Sequence, residues 1–407
     1  MPPLTILLGC DTFHPNVNGA ARFAERLAAG LIDRGHDVHI VAPAIAPGQH
    51  GTFTEVIEGH EMTVHRWPSA SWPFLKWVRF TWPWRAARLA PRTLDEIKPD
   101  VVHVQSHIMG GRFLIHAAHA KGIRLIATNH TMPENIAEHT GLPRVLNSAF
   151  IRWGWKDADR LLSKVDRVTT PTANAAKYLQ DHTSLDDVLP VSNGIAASHY
   201  SPDFTPRSEN RMIFVGRLER EKEVHVLLKA LSLLPEDLDV KFDLVGDGIE
   251  MAHLKDTAHR LGVTDRVVFH GAIDDETLKG LYSRASLFTI ASIAELQSIA
   301  TMEAMASGLP VVAANAVALP HLVEEGVNGY LFEPGDAQQA ADRIERVLRL
   351  SHEDRVAMQK ASLAGVAVHS LDHTLDVFEA LYRGEPVPEL ATPSRKSSST
   401  AADDAQS

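Results

Sequence analysis

Leu4-Thr5-Ile6-Leu7-Leu8, the loop Asp11-Thr12-Phe13-His14-Pro15-Asn16-Val17-Asn18-Gly19, and then Ala20, Phe23, Ala24, Leu27, Ala28 and Leu31 at helical spacing form the stretch that sets the fold. The apolar run reads as a buried strand, and apolar positions three and four apart read as one face of a helix. Gly35 stops that helix and residues 38–41 begin a second strand, so the segment predicts two parallel strands joined by a helix. Residues 101–104 and 125–128 continue the series. A second series of short β-rich runs, at 212–215, 242–245, 267–269, 287–289 and 311–313, has helical periods between its members. The expected class is therefore α/β, with two doubly wound parallel-sheet domains.

We place the first domain at residues 1–195 and the second at 196–370, with the Ser, Pro and Asn-rich stretch 194–210 as the hinge. A helix near 370–385 is expected to pack back on the first domain, and the Pro, Ser and Thr-rich stretch 386–407 to be a disordered tail. A chain of 407 residues that is 44% hydrophobic and 22% charged fits two ordinary soluble domains rather than a membrane bundle. The single cysteine, Cys10, excludes an intrachain disulfide. A formal charge of -11 argues against nucleic acid as a partner. The first apolar run has no basic region before it, so no export signal is expected, and no stretch approaches the roughly 18 apolar residues of a spanning helix.

Ligands of open parallel sheets gather beyond the C-terminal strand ends, where helix N-termini supply N–H groups. Asn18-Gly19 stands at one such end. Glycine lets a phosphate approach the backbone, although an ordinary turn would also use it. Phe214-Val215-Gly216-Arg217-Leu218-Glu219-Arg220-Glu221-Lys222 sets two cations, Arg217 and Lys222, five residues apart just past a strand. Such a pair can neutralise a diphosphate leaving group; a solvated charged loop is the alternative. Ala291-Ser292-Ile293-Ala294-Glu295-Leu296-Gln297-Ser298-Ile299-Ala300-Thr301-Met302-Glu303 carries two carboxylates separated by seven residues. Glu295 falls in a loop, Glu303 in the helix after it, and the amides near Gln297, Ser298 and Ile299 can bind an anion or hydroxyls.

These motifs, with Val245-Gly246-Asp247-Gly248 and Asp265-Arg266-Val267-Val268-Phe269-His270-Gly271, resemble the retaining glycosyltransferases of family 4, over residues 1 to about 380. The resemblance implies a GT-B fold, two Rossmann-like domains facing a cleft. It implies Glu295 on the transferred sugar, Glu303 on the ribose, Arg217 and Lys222 on the diphosphate, and Gly19 beneath the phosphates. Gly216, Gly246, His270, Gln297, Ser298 and Ile299 complete the donor site that it implies. His130, in Thr128-Asn129-His130-Thr131, matches the active-site histidine; His107 is a second candidate. No cofactor and no metal are expected, only a GDP- or UDP-sugar as co-substrate. Ser298 replaces the usual glycine, and Val317-Ala318-Leu319-Pro320-His321 replaces a frequent Gly-Gly-x-x-Glu. The stretch His130-Thr131-Met132-Pro133-Glu134-Asn135, with Gln297, is similar to bacterial members that glycosylate lipids such as diacylglycerol or phosphatidylinositol.

Between Arg66 and Arg92 stand five tryptophans, Trp67, Trp72, Trp77, Trp82 and Trp84, with Phe74, Phe80, Lys76, Arg79, Arg85 and Arg88, and no acid. Aromatics favour the membrane–water boundary and cations favour anionic headgroups. Trp72, Trp77, Arg79, Trp82, Arg85 and Arg88 are therefore the expected acceptor and membrane contacts; the alternative is that the rings pack in the core. The expectation is a retaining hexosyltransferase, peripheral on the cytoplasmic face of the cell membrane, moving mannose or glucose to a lipid. A soluble acceptor such as inositol phosphate or a saccharide is the alternative, followed by a nucleotide-sugar epimerase and a non-catalytic nucleotide-sugar binder.

Overall fold

The structure is a computed structural model that describes residues 2–16, 18–71, 79–137 and 143–389. Trp72, Phe74, Lys76 and Trp77, and the part of the expected tail from 390 onward, lie outside the described residues.

The first domain contains β1 (Thr5–Gly9), α1 (Gly19–Asp33), β2 (Asp37–Pro43), β3 (Gly51–Ile57), β4 (His60–Trp67), β5 (Ala70–Ser71), β6 (Arg79–Phe80) and α2 (Pro83–Ile97). It continues with β7 (Val101–Val104), α3 (Gly110–Lys121), β8 (Arg124–Thr128), α4 (Pro133–Ala137), α5 (Arg144–Leu162), β9 (Arg167–Thr170), α6 (Ala173–His182) and β10 (Val188–Pro190). Eight of these strands form a sheet in the order β10-β9-β8-β7-β1-β2-β4-β3, parallel except where β3 turns back on β4. The second domain runs β11 (Arg211–Val215), α7 (Val224–Leu233), β12 (Lys241–Val245), α8 (Met251–Arg260), β13 (Val267–Gly271), α9 (Asp275–Arg284), β14 (Leu287–Ile290) and α10 (Ile299–Ala306). It ends with β15 (Val311–Ala314), β16 (Gly329–Phe332), α11 (Ala337–Leu348) and α12 (His352–Ala367). Its six strands are all parallel, in the order β13-β12-β11-β14-β15-β16.

The opening unit forms for the reasons its sequence carries. Asn18 caps α1, its side chain accepting from Ala21 N at 3.0 Å, and Phe23, Ala24, Leu27, Ala28 and Leu31 are buried along one face. At the other end Gly35 takes φ +85, which lets its N–H reach Ile32 O and that of His36 reach Leu31 O. The β3–β4 hairpin is absent from the sequence expectation. β3 is exposed along most of its length, so no apolar alternation marks it, and the Glu58-Gly59 turn with φ of 50 and 78 is what makes the hairpin.

A last helix, α13 (Leu371–Arg383), crosses back to the first domain. Ile195 N donates to His369 O and Leu371 N to Ile195 O, so outgoing and returning chains are bonded side by side. Phe378 on α13 then packs on Phe23 and stacks on His103, and Leu375 lies against Gly30, where any Cβ would collide with it.

The aromatic segment is only partly as expected. Trp67 is 4% exposed and packs among Val41, Val102 and Leu114, while Phe80 is also buried. Arg66 is buried in a bidentate pair with Glu55, with a further bond to His14 O. These three are core residues rather than membrane contacts: Trp67 packs in the cluster that holds Ala86, Ala90 and Leu94 of α2, while Arg66, on the opposite face of β4, lies over the Phe13 ring. Arg79 is held by Ser69 and Ser71. Trp82 and Trp84 are exposed at 41% and 57% and stack on each other at the start of α2, and Arg85, Arg88 and Arg92 are exposed along that helix.

Candidate active site

The cleft-facing ends of β11, β12, β13 and β14 interlock. Gly216 N donates to Val245 O, Gly246 N to Gly271 O, Leu218 N to Asp247 O, and Ile293 N to Glu221 O. Gly246 has φ +132, and a Cβ there would lie 1.8 Å from Gly216 O, so only glycine lets these loops touch. The loop with Arg217 and Lys222 is thereby laid across the loop with Glu295. Lys222 Nζ donates to Glu295 Oε1 at 2.6 Å, with both side chains more than four-fifths buried. Arg217 lies 3.5 Å from Glu221 and is about one-third exposed.

α10 begins where an anion would need it. Ser298 takes the N-cap position, its hydroxyl accepting from Thr301 N at 3.3 Å, which gives the serine in place of glycine a local reason. The N–H groups of Ile299 and Ala300 then have no acceptor within the helix. Gly19, the first residue of α1, stands opposite: the nearest atom to a Cβ there is Ile299 Cδ1 at 3.9 Å. Two helix N-termini, one from each domain, face each other across this gap, and both favour negative charge.

Glu303 is buried one turn further along α10, its Oε1 accepting from Arg26 Nη2 at 2.5 Å and its Oε2 from the Tyr282 hydroxyl at 3.3 Å. Gln297 does not point to the donor gap: its Oε1 accepts from Asn193 N and its amide nitrogen donates to Ser192 Oγ, tying the motif to the hinge. His270 is half-buried and donates to Asp243, a fully buried carboxylate that also holds Arg211.

His130 reaches the cleft from the end of β8. Its ring lies 5.2 Å from that of Phe23, and its Nε2 donates to Gln105 Oε1 at 3.0 Å, leaving Nδ1 as an acceptor. Burial lowers its pKa to about 4, so it is neutral at pH 7. His103, behind it, bonds Tyr382 and Thr128. His107, the second candidate, is buried beside the Arg112–Asp157 pair that joins α3 to α5. Arg26, Tyr282 and Gln105 were missed by sequence reasoning. Arg26, between Phe23 and Leu27, looks like any helical surface charge, and its only signal is its place on the helix that starts at Gly19.

Residues 17–199 match the model of the Glycosyltransferase Family 4, and residues 202–363 that of the Glycosyl transferases group 1. The chain belongs to the family 4 glycosyltransferases. A GDP-mannose-dependent alpha-mannosyltransferase of Mycolicibacterium smegmatis is 28% identical over 342 residues, covering 81% of this glycosyltransferase and 84% of that protein. An alpha-monoglucosyldiacylglycerol synthase of Streptococcus pneumoniae is 25% identical, covering 81% and 75% respectively. Among solved structures, the sucrose-phosphate synthase of Thermosynechococcus elongatus superposes with a TM-score of 0.76 at 19% identity, over 93% of this chain and 98% of that one. The glycosyltransferase is thus a GT-B enzyme that takes sugar from a nucleotide sugar.

Proposed function

We propose that this glycosyltransferase moves a hexose, mannose or glucose, from a nucleoside diphosphate sugar to a membrane lipid with retention of configuration. It works as a peripheral enzyme on the cytoplasmic face. Among the described residues no helix is long and apolar enough to cross a membrane, which is compatible with a peripheral contact. The diphosphate lies between the N-termini of α1 and α10, its charge met by Arg217 and Lys222, so no metal is required there. Glu303 takes the ribose hydroxyls, Glu295 the transferred hexose, and neutral His130 accepts from a sugar hydroxyl. The C1–O bond loosens toward an oxocarbenium-like state, and the acceptor hydroxyl attacks from the same face while the departing phosphate takes its proton. GDP-mannose and diacylglycerol, named for two relatives, support these donor and acceptor classes.

The observation that carries the lipid reading is the exposed Trp82–Trp84 stack with Arg85, Arg88 and Arg92 following it on α2. Paired rings at a helix start, with cations at helical spacing beside them, suit an anionic headgroup layer at about 1 kcal/mol per cation. The test is co-sedimentation with phosphatidylglycerol vesicles at low and high salt, alongside transfer from GDP-mannose and UDP-glucose to diacylglycerol or phosphatidylinositol. Binding at low salt that Arg85→Ser with Arg88→Ser reduces, with donor hydrolysis unchanged, is expected. A wild type that ignores anionic vesicles and glycosylates only inositol phosphate or a saccharide would reject it. Burial of Trp67, Phe80 and Arg66 favours that soluble-acceptor reading as the second one.

A further inference from the structure

Arg26 crosses from the first domain to the second. It sits two turns into the helix that starts at Gly19, and its Nη2 reaches Glu303 Oε1 at 2.5 Å and the Tyr200 hydroxyl at 3.4 Å. Its Nη1 is buried without a hydrogen-bond partner. An unpaired guanidinium N–H in a buried site costs more than a neutral one, because the charge has already lost its water. Glu303 is in the complementary state. A carboxylate offers about four lone-pair sites, and here Arg26, Tyr282 and the Tyr200 hydroxyl take three of them, so acceptor capacity remains. The site therefore offers one vacant donor and remaining acceptor capacity side by side, from two different domains. A ligand carrying hydroxyl groups next to other oxygens satisfies both.

We propose that Arg26 is a donor-positioning residue supplied by the first domain: it holds Glu303 toward the ribose, and its unpaired Nη1 donates to an oxygen of the bound nucleotide. This rests on the reading of Glu303 as the ribose carboxylate. The consequence is coupling. Nucleotide bound on the second domain gains its full set of contacts only when α1 of the first domain is seated against α10, so donor binding and domain seating favour each other. Arg22, one turn earlier, makes a separate cross-domain pair with Asp275 at 2.6 Å.

The experiment measures binding of GDP and UDP, and of the 2′,3′-dideoxy form of whichever binds, to the full chain and its variants by calorimetry. Wild type is expected to prefer the ribose form by about tenfold or more, the worth of one lost charged hydrogen bond. In Arg26→Ala that preference falls toward one, and the KM for the sugar nucleotide rises more than kcat falls. Arg26→Lys, which can reach Glu303 but has no second nitrogen, keeps part of the preference. Arg22→Ala keeps all of it, separating Arg26 from any general loosening of the two domains. If Arg26→Ala does not fold, Arg26→Gln and Arg26→Lys give the same comparison. An unchanged preference in Arg26→Ala, or tighter nucleotide binding, overturns this inference alone. A wild type that binds neither nucleotide, or does not distinguish ribose from dideoxyribose, overturns the donor reading and this inference with it.

Discussion

Lys222 and Glu295 are each other's partner at 2.6 Å, so each is poised by the other before any donor arrives. In the proposed reading, a diphosphate near Lys222 competes for its charge and leaves Glu295 free to accept from the sugar. Arg217→Ala and Lys222→Ala are each expected to lower kcat by about a hundredfold, roughly 3 kcal/mol of lost stabilisation of the departing phosphate. EDTA should leave wild-type activity in place, and absolute dependence on Mg²⁺ or Mn²⁺ in steady-state assays would count against that assignment. The two glutamates should differ in kind. Glu295→Ala is expected to suppress kcat more than donor affinity, because its contact strengthens as the hexose flattens. Glu303 is better replaced by Gln, since Glu303→Ala would strand the buried Arg26 and cost about 3–5 kcal/mol of stability by itself. Glu303→Gln should raise the donor KM with a smaller effect on kcat; equal changes in both variants would reject the division of roles.

At the scale of elements, two glycines with the same expected role behave differently. Gly246 is required by packing, because its Cβ would meet Gly216 O at 1.8 Å and its φ is +132. Gly246→Ala should cost about 3 kcal/mol in a denaturant titration, from strain and from pushing the β11 and β12 loops apart, and should weaken donor binding as well. Gly19 heads α1 with nothing closer than 3.9 Å to a Cβ. Gly19→Ala should therefore leave stability equal or raise it by about 0.5–1 kcal/mol, while raising the donor KM by crowding the phosphate gap. A loss of both stability and donor affinity in Gly19→Ala would make the glycine structural.

Over the described residues, five histidines are pushed by burial to about 4 or below: His103 to about 3, and His65, His107, His130 and His369 to about 4. An unfolded histidine titrates near 6.5, so between that pH and about 4 the unfolded chain binds more protons and stability is lost as the pH is lowered. His107 alone, almost fully buried, accounts for about 3 kcal/mol once the pH is below both values. Glu25, raised to about 7 by burial, acts in the opposite sense, losing stability as pH rises from about 4.5 through 7. The histidines outnumber it. Unfolding midpoints should be steady near neutral pH and drop from about pH 6.5 downward; a flat profile to pH 5 would sink this account.

The sequence by itself determined two parallel sheets, most of their strands and the donor loops, because those features are local. Apolar runs of four or five residues, Gly35 after an apolar helix face, and two cations five apart are each written within a short window. β3 escaped because an exposed edge strand carries no apolar alternation. Only the tertiary structure decided which aromatics face water: Trp67 and Trp82 have the same chemistry and neighbouring positions, yet β4 runs inward and α2 begins outside. Only it joined Arg26 to Glu303, 277 residues away, and turned Gln297 to the hinge rather than the donor. The pairing of a charge depends on what is packed across the cleft. That is a property of two domains seated together, which no window along either of them contains.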